Sequence, residues 1–158
     1  MTESARVQYT YQQLNSFDQL DVDGLCSLFS LEMSGEAFYN ALAERVSNEQ
    51  AAQLLRRNGR EEAGHARRLQ RAIAIKLGTD FEPTAAMLDI APIRVPSELS
   101  PEFLKVLIQG ELDGDAGYQK WADNEPDPEV ARLLRLNGRE ETIHGERAQE
   151  VLSLLQKG

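Results

Sequence analysis

Two copies of one short motif contain every histidine of this chain. Glu62 precedes His65 by three residues, and Glu141 precedes His144 by the same spacing. On a helix, residues three apart lie on the same face, so each pair directs a carboxylate and an imidazole toward one point. Mixed oxygen and nitrogen ligands of this kind suit iron or manganese. The motifs therefore predict a metal site.

The two motifs belong to a longer internal repeat. Residues 32–73 align without a gap on residues 111–152, and the five residues at 58–62 recur unchanged at 137–141. A twofold repeat is too short for a solenoid, which needs three or more units. It indicates an internal duplication that builds one pseudo-symmetric domain.

Helical periodicity within each half defines the elements that position the motifs. Each half, at about 23–77 and about 101–156, predicts two helices, and the segment at about 78–100 reads as a long crossover. We expect a crossover of that length to run along the bundle and to make the second and third long helices parallel. The prediction is an all-α, four-helix bundle forming a single domain over residues 1–158.

Glu32 and Glu111 occupy matching positions of the repeat, on the helices that precede the two motif helices. With the motifs they make a set of four carboxylates and two imidazoles. A buried carboxylate without a partner costs several kcal/mol, and four facing one another also repel. Two bound cations would offset that charge, so we expect a site for two metal ions. The single Cys26 excludes a closed site of thiolate ligands for zinc within this chain.

These residues match a known pattern, and the chain resembles the rubrerythrin and bacterioferritin branch of the ferritin-like superfamily. Two Glu-x6-Tyr and two Glu-x-x-His motifs carry the resemblance, which covers residues 25–155. It implies a ferritin-like fold and a di-iron site. Tyr39 and Tyr118 would hydrogen-bond ligand carboxylates, although ordinary core packing is an alternative role for them. The implied ligands are Glu32, Glu62, His65, Glu111, Glu141 and His144, with Glu62 and Glu141 each serving one metal.

The chain also departs from these relatives. Rubrerythrins carry an additional Glu at the position of Gly114 and possess a rubredoxin domain, which is missing here. Bacterioferritins bind haem through a Met at the position of Ala63, so we expect no haem. The Gly114 difference weakens the case for the rubrerythrin type of peroxidase chemistry.

Several functions fit such a site. The leading interpretation is a di-iron oxidoreductase of ferroxidase or peroxidase type that passes electrons from two Fe(II) ions to dioxygen or hydrogen peroxide, with an electron donor that the sequence does not identify. A di-manganese, catalase-like enzyme and an iron-binding or storage protein are alternatives. A further alternative is a helical adaptor without metal.

Composition limits the partners and the location. The net charge of -9 opposes binding to nucleic acid and to anionic membranes. Without a long apolar run, a secretory signal or a disulfide framework, the sequence predicts a cytoplasmic protein. A homodimer is the default expectation for its assembly.

Helical position also predicts the surroundings of the residues beside the ligands. Glu61 and Glu140 lie about 100° away from the ligand faces, which predicts that they face solvent with Arg60 and Arg139. Asn58 and Asn137 lie on the inward faces. They are therefore expected to be buried polar residues that link helices.

Overall fold

A computed structural model describes residues 7–158 as a helical bundle, and no β-strand occurs among these residues. Four long helices form the bundle and two short helices pack against it. The all-α prediction is confirmed. In chain order the helices are α1 (Tyr11–Asn15), α2 (Val22–Ala43), α3 (Glu49–Leu77), α4 (Ala85–Leu88), α5 (Pro101–Asp123) and α6 (Pro128–Lys157).

Local signals fix the ends of the long helices. The side chain of Asn48 accepts a hydrogen bond from the backbone N–H of Ala51 at the start of α3. Gly78 ends that helix with φ of 71°, a left-handed conformation that suits glycine. Ser100 caps α5 and Pro101 occupies its first position, where the missing N–H has no cost.

Side-chain contacts between the halves define the helix directions. Asn58 of α3 reaches the backbone of His144 in α6, whereas Asn137, earlier in α6, reaches the backbone of His65, later in α3. Residue numbers therefore rise along α3 as they fall along α6, so these helices are antiparallel. The hydrogen bonds of Tyr39 to Glu111 and of Tyr118 to Glu32 show the same relation between α2 and α5. Because α2 and α3 form a hairpin, α3 and α5 run parallel, as the crossover predicts.

The apolar core consists of two clusters at opposite ends of the bundle. One contains Leu25, Leu69 and Trp121, and the other contains Leu42 and Leu55. Full burial of each such side chain stabilises the fold by about 1.5–3 kcal/mol. The clusters hold all four helices together on both sides of a polar central layer, and this layer contains the candidate site.

The segment of residues 7–20, which we call the N-terminal strap, was not predicted. It contains α1 and lies against α2 and α5. The backbone N–H of Tyr9 donates to Oγ of Ser27 at 2.9 Å, and the indole N–H of Trp121 donates to the carbonyl of Phe17 at 2.9 Å. Leu14 is fully buried in the core. The strap is therefore fixed to both helices.

No helix within residues 7–158 combines the length and the apolar character needed to cross a membrane.

Candidate metal centre

The structure brings all six predicted ligands together in the middle of the bundle. Each has a relative exposure of 7% or less. Their donor atoms form two groups that could each hold one ion, and Glu62 and Glu141 belong to both groups. The first group is Glu32, Glu62, His65 and Glu141, and the second is Glu62, Glu111, Glu141 and His144.

This grouping differs from the sequence interpretation, which gave Glu62 and Glu141 one metal each. In the structure each of these carboxylates lies between the two groups, whereas Glu32 and Glu111 each belong to one. A carboxylate has two oxygens and can bind two ions at once. The arrangement therefore suits Glu62 and Glu141 as bridges.

Both imidazoles direct the same nitrogen into the cluster. Nδ1 of His65 lies 2.9 Å from Oε1 of Glu141 and 3.3 Å from Oε2 of Glu62. Nδ1 of His144 lies 3.4 Å from Oε1 of Glu62 and 3.9 Å from Oε2 of Glu111. The rings are stacked with centroids 5.2 Å apart. Nδ1 is therefore the nitrogen available to a metal in each half.

The donor set passes a test for metal binding. Oε2 of Glu62 and all four ring nitrogens of His65 and His144 are buried and have no aligned hydrogen-bond partner within residues 7–158. Buried polar atoms are nearly always satisfied, so each of these atoms requires an explanation. Bound cations would satisfy both Nδ1 atoms and the carboxylate oxygen between them. The residues therefore fit a pair of metal ions.

Protonation in the cluster reflects the crowding of its carboxylates. Burial, reinforced by the charge of Glu62, raises the pKa of Glu32 to about 7. Burial and the same charge raise the pKa of Glu141 well above its usual value. Without metal, these groups hold protons because their charged forms are poorly solvated. Metal binding must then release protons.

The two histidines respond differently to this environment. Burial lowers the pKa of His65, but interactions with Glu140, Glu141 and other carboxylates raise it above its usual value by more. Burial, together with the nearby His65, lowers the pKa of His144. Two stacked rings at this distance disfavour two positive charges, so one imidazolium in the metal-free cluster excludes a second.

Tyr39 and Tyr118 connect the halves through the terminal carboxylates. The hydroxyl of Tyr39 donates to Oε1 of Glu111, and that of Tyr118 donates to Oε1 of Glu32. Both tyrosines are also buried in the apolar clusters. The hydrogen-bonding role and the packing role therefore hold at once, and each tyrosine orients a carboxylate of the other half.

The prediction for Glu61 and Glu140 is wrong. Oε2 of Glu140 lies 3.4 Å from Nε2 of His65, and Oε1 of Glu61 lies 3.3 Å from Nε2 of His144. Each carboxylate faces the ring nitrogen directed away from the cluster. When Nδ1 binds a metal the proton resides on Nε2, and a carboxylate beside it fixes the ring and its tautomer. These glutamates therefore support the histidines of the opposite half.

Two arginines hold those outer carboxylates. Nη2 of Arg68 lies 2.6 Å from Oε1 of Glu140, and Nη1 of Arg147 lies 2.7 Å from Oε1 of Glu61. Burial raises the pKa of Glu140, but its contacts with His65 and Arg68 outweigh burial and lower the pKa to about 2. Glu140 therefore remains charged at neutral pH.

Asn58 and Asn137 link α3 and α6, as predicted. The amide of Asn58 donates to the carbonyl of His144 at 3.1 Å, and its oxygen accepts from Arg147 at 3.0 Å. Asn137 makes the equivalent bonds to His65 and Arg68. Both asparagines have 0% exposure. Each asparagine therefore connects the backbone of a ligand histidine to the arginine that holds the carboxylate beside that histidine.

The opposite side of the site opens toward the surface. A cavity of about 220 Å³ lies between α2 and α5, and its lining includes Glu32, Glu111, Leu31, Leu107 and Tyr11. Gly35, Gly110 and Gly114 also line it and add no side chain to fill the space. The carboxylates therefore meet an opening on this side.

Three residues around the site, Arg68, Arg147 and Tyr11, were not predicted from the sequence. Arg68 and Arg147 follow the two histidines at the same spacing in each half, so the repeat contained a signal for them. Tyr11 precedes the repeat and has no counterpart in the second half. Nothing in the sequence pattern places it beside the cavity.

Comparison with known proteins supports the resemblance stated above. The family model described as Rubrerythrin matches residues 25–99, which include Glu32, Tyr39, Glu62 and His65. No curated protein sequence and no solved structure matches the chain significantly. The match covers just under half of the chain, and the second half carries the same motifs through the duplication. The rubrerythrin-type resemblance is confirmed over the matched segment.

Proposed function

Since residues 25–99 match the rubrerythrin family, we propose that this chain is a non-haem di-iron oxidoreductase. It binds two Fe(II) ions and passes their electrons to dioxygen or hydrogen peroxide. The observation that carries the proposal is that Nδ1 of His65, Nδ1 of His144 and Oε2 of Glu62 are buried where four helices meet and lack an aligned hydrogen-bond partner within residues 7–158.

The ligand assignment follows the two geometric groups. Glu32 and His65 would hold one ion, Glu111 and His144 the other, and Glu62 and Glu141 would bridge them. Four carboxylates balance the charge of two divalent ions. When bound, the iron pair would supply two electrons to an oxidant that reaches the open side of the site.

The chain itself performs the positioning. Tyr39 and Tyr118 hold the terminal carboxylates by hydrogen bonds, which limits how far Glu111 and Glu32 can swing. Glu140 and Glu61 face Nε2 of the histidines, so the imidazoles keep Nδ1 directed inward. Burial of the ligands excludes bulk water and strengthens these interactions.

Metal content tests the site. Protein purified without chelators should contain two equivalents of iron per chain by elemental analysis. Glu62→Ala and Glu141→Ala should each lose both ions because each carboxylate belongs to both groups, whereas Glu32→Ala should lose one. Glu146→Ala is the matched control, because Glu146 is exposed on the helix that carries Glu141 and His144.

Retention of both ions in Glu62→Ala and Glu141→Ala would refute the ligand assignment. Two equivalents of manganese in place of iron would favour a catalase-like site. The alternative hypothesis of a helical adaptor without metal requires that the wild-type protein contain no stoichiometric metal and keep its stability under strong chelation.

Turnover tests the activity. The diferrous protein should be oxidised by one equivalent of hydrogen peroxide, with two protons taken up and two waters formed. Repeated cycles with an added reductant would support an oxidoreductase. A single oxidation followed by uptake of further iron, without consumption of reductant, would favour storage instead.

A further inference from the structure

The strap places one aromatic side chain at the cavity that the ligand cluster meets between α2 and α5. Tyr11 lines that cavity together with Glu32 and Glu111, and it retains 39% exposure. A residue that contacts both the cavity and solvent lies at its mouth. Tyr11 therefore stands between the cluster and bulk water.

The strap fixes Tyr11 on both sides. Before it, the backbone of Tyr9 is bonded to Ser27 of α2, and after it the carbonyl of Phe17 accepts from Trp121 of α5. Thr10 and Gln13 form a reciprocal cap that holds the first turn of α1. The side chain of Tyr11 is thus supported by an ordered backbone across the gap between α2 and α5.

The cavity behind Tyr11 suits a small reactant. Its volume of about 220 Å³ is below that of pockets for drug-sized ligands, which are roughly 300–1,000 Å³. Leu28, Leu31 and Leu107 make its sides apolar, while the carboxylates form its base. Dioxygen or hydrogen peroxide can occupy this space beside the cluster. A bulky organic peroxide has to displace Tyr11 to enter.

Electrostatics agree with this position. Burial raises the pKa of Tyr11 to about 12, and the charges of Glu141 and Glu32 add to the effect. The phenol is therefore within electrostatic reach of the ligand carboxylates, remains neutral at physiological pH and adds no anionic repulsion at the mouth.

We propose that Tyr11 is a specificity-determining residue, which restricts the metal centre to reactants of the size of dioxygen and hydrogen peroxide by narrowing the opening between α2 and α5. This inference rests on the proposed function, because it assigns the opening to the reactant of that site. It depends on the bulk of the aromatic ring and not on its hydroxyl.

Ligand binding to cobalt(II)-loaded protein tests the inference without catalysis. Azide and 4-phenylimidazole, a small and a bulky ligand, are titrated against the protein while the visible absorption of cobalt is recorded. The variants are Tyr11→Phe, Tyr11→Leu and Tyr11→Ala. Gln12→Ala, an exposed neighbour in α1 that does not line the cavity, is the matched control.

Wild type, Tyr11→Phe and Gln12→Ala should bind azide but only weakly bind 4-phenylimidazole. Affinity for 4-phenylimidazole should be higher in Tyr11→Leu than in wild type and higher again in Tyr11→Ala, where it should exceed the wild-type affinity by more than about tenfold. Azide affinity should change by less than about threefold. The emission of Trp121 reports whether the strap stays docked, and Tyr11→Leu retains an apolar contact that favours docking.

Equal affinity of wild type and both smaller variants for 4-phenylimidazole would overturn the inference. A loss of selectivity in Tyr11→Phe would overturn it as well, because the ring is retained. Failure of the wild-type protein to bind two equivalents of cobalt would instead overturn the proposed function together with this inference. Normal cobalt uptake without altered selectivity contradicts only the role of Tyr11.

Discussion

The two sides of the candidate centre are built in opposite ways. On the side of α3 and α6, which we call the closed face, Asn58 and Asn137 cross-link the helices and Arg68 pairs with Glu140. On the side of α2 and α5, the open face, glycines and a cavity separate the helices, and the strap lies over the gap. Each face takes one helix from each copy of the duplicated hairpin.

This difference indicates a division of labour. The closed face fixes the imidazoles through hydrogen bonds and ion pairs that reach the far side of each ring. The open face presents the terminal carboxylates to a space that a reactant can enter. The closed face therefore holds the ligands in place, and the open face on the other side of the cluster gives a reactant access to them.

The largest effect that we expect comes from pH in the metal-free protein. The pKa of Glu32, on the open face, is raised from 4.5 to about 7. A carboxyl group with a raised folded-state pKa loses stability as pH rises from its unfolded to its folded value. The contribution of Glu32 to the unfolding free energy should therefore fall by on the order of 3 kcal/mol between about pH 4.5 and 7.

Urea unfolding in the presence of chelator measures this dependence, and Glu32→Gln is its control because it removes the titrating group. The variant should show a smaller decrease over the same window. An identical slope in wild type and Glu32→Gln would contradict the assignment. The pKa of Glu140, on the closed face, is lowered to about 2, so its contribution is lost only in stronger acid.

Asn137→Ala tests the closed face by stability. The substitution removes the buried amide that donates to the carbonyl of His65 and the side-chain oxygen that accepts from Nη1 of Arg68. We expect a loss of about 2 kcal/mol of unfolding free energy. Leu31→Ala on the open face, where Leu31 is 37% exposed, should cost less than about 1 kcal/mol. Equal costs would remove the distinction between the faces.

Glu140→Gln tests whether the closed face supports metal binding. The amide retains the size of the side chain but loses the charge beside Nε2 of His65. We expect metal affinity to fall by about tenfold to a hundredfold. Competition with a chromogenic chelator measures the change, and Glu61→Gln should reproduce it through His144. Unchanged affinity in both variants would show that the outer carboxylates do not support the ligands, and exposed Glu146→Gln provides the baseline.

Gly35 and Gly114 compare the halves at matching positions of the open face. A Cβ at Gly35 would lie 3.0 Å from Cδ of Glu62, whereas one at Gly114 would lie 3.4 Å from Oε2 of Glu141. Gly114→Ala should therefore fit and stabilise α5 by up to about 1 kcal/mol, with metal content unchanged. Gly35→Ala should gain less and weaken metal binding, because Glu62 must move. Thermal unfolding and metal analysis measure both, and a metal loss confined to Gly114→Ala would contradict this order.

Much of the fold and the ligand set could be predicted because duplication repeats the signal. His65 and His144 share their spacing to Glu62 and Glu141, and helix geometry converts that spacing into a common face. The capping residues Asn48 and Gly78 act locally, so the helix ends also follow from sequence.

Other features depend on tertiary packing. Glu61 and Glu140 lie about a third of a turn from the ligands, but the space beside them is filled by the neighbouring helix, and helical angle alone does not show this. The sharing of Glu62 and Glu141 between two groups depends on side-chain conformation. The short α1 has no periodic pattern, so the position of Tyr11 required the structure.

The antiparallel pairing of the halves has a consequence for how the centre assembles. Glu61 and Glu62 of one half face His144 of the other, and Glu140 and Glu141 face His65 in return. Each ligand group takes three residues from one hairpin and one, Glu141 or Glu62, from the other, so a single hairpin completes neither group. Two hairpins cut apart within the crossover would have to reassociate before either could bind an ion tightly, so metal uptake would serve as a direct gauge of their assembly.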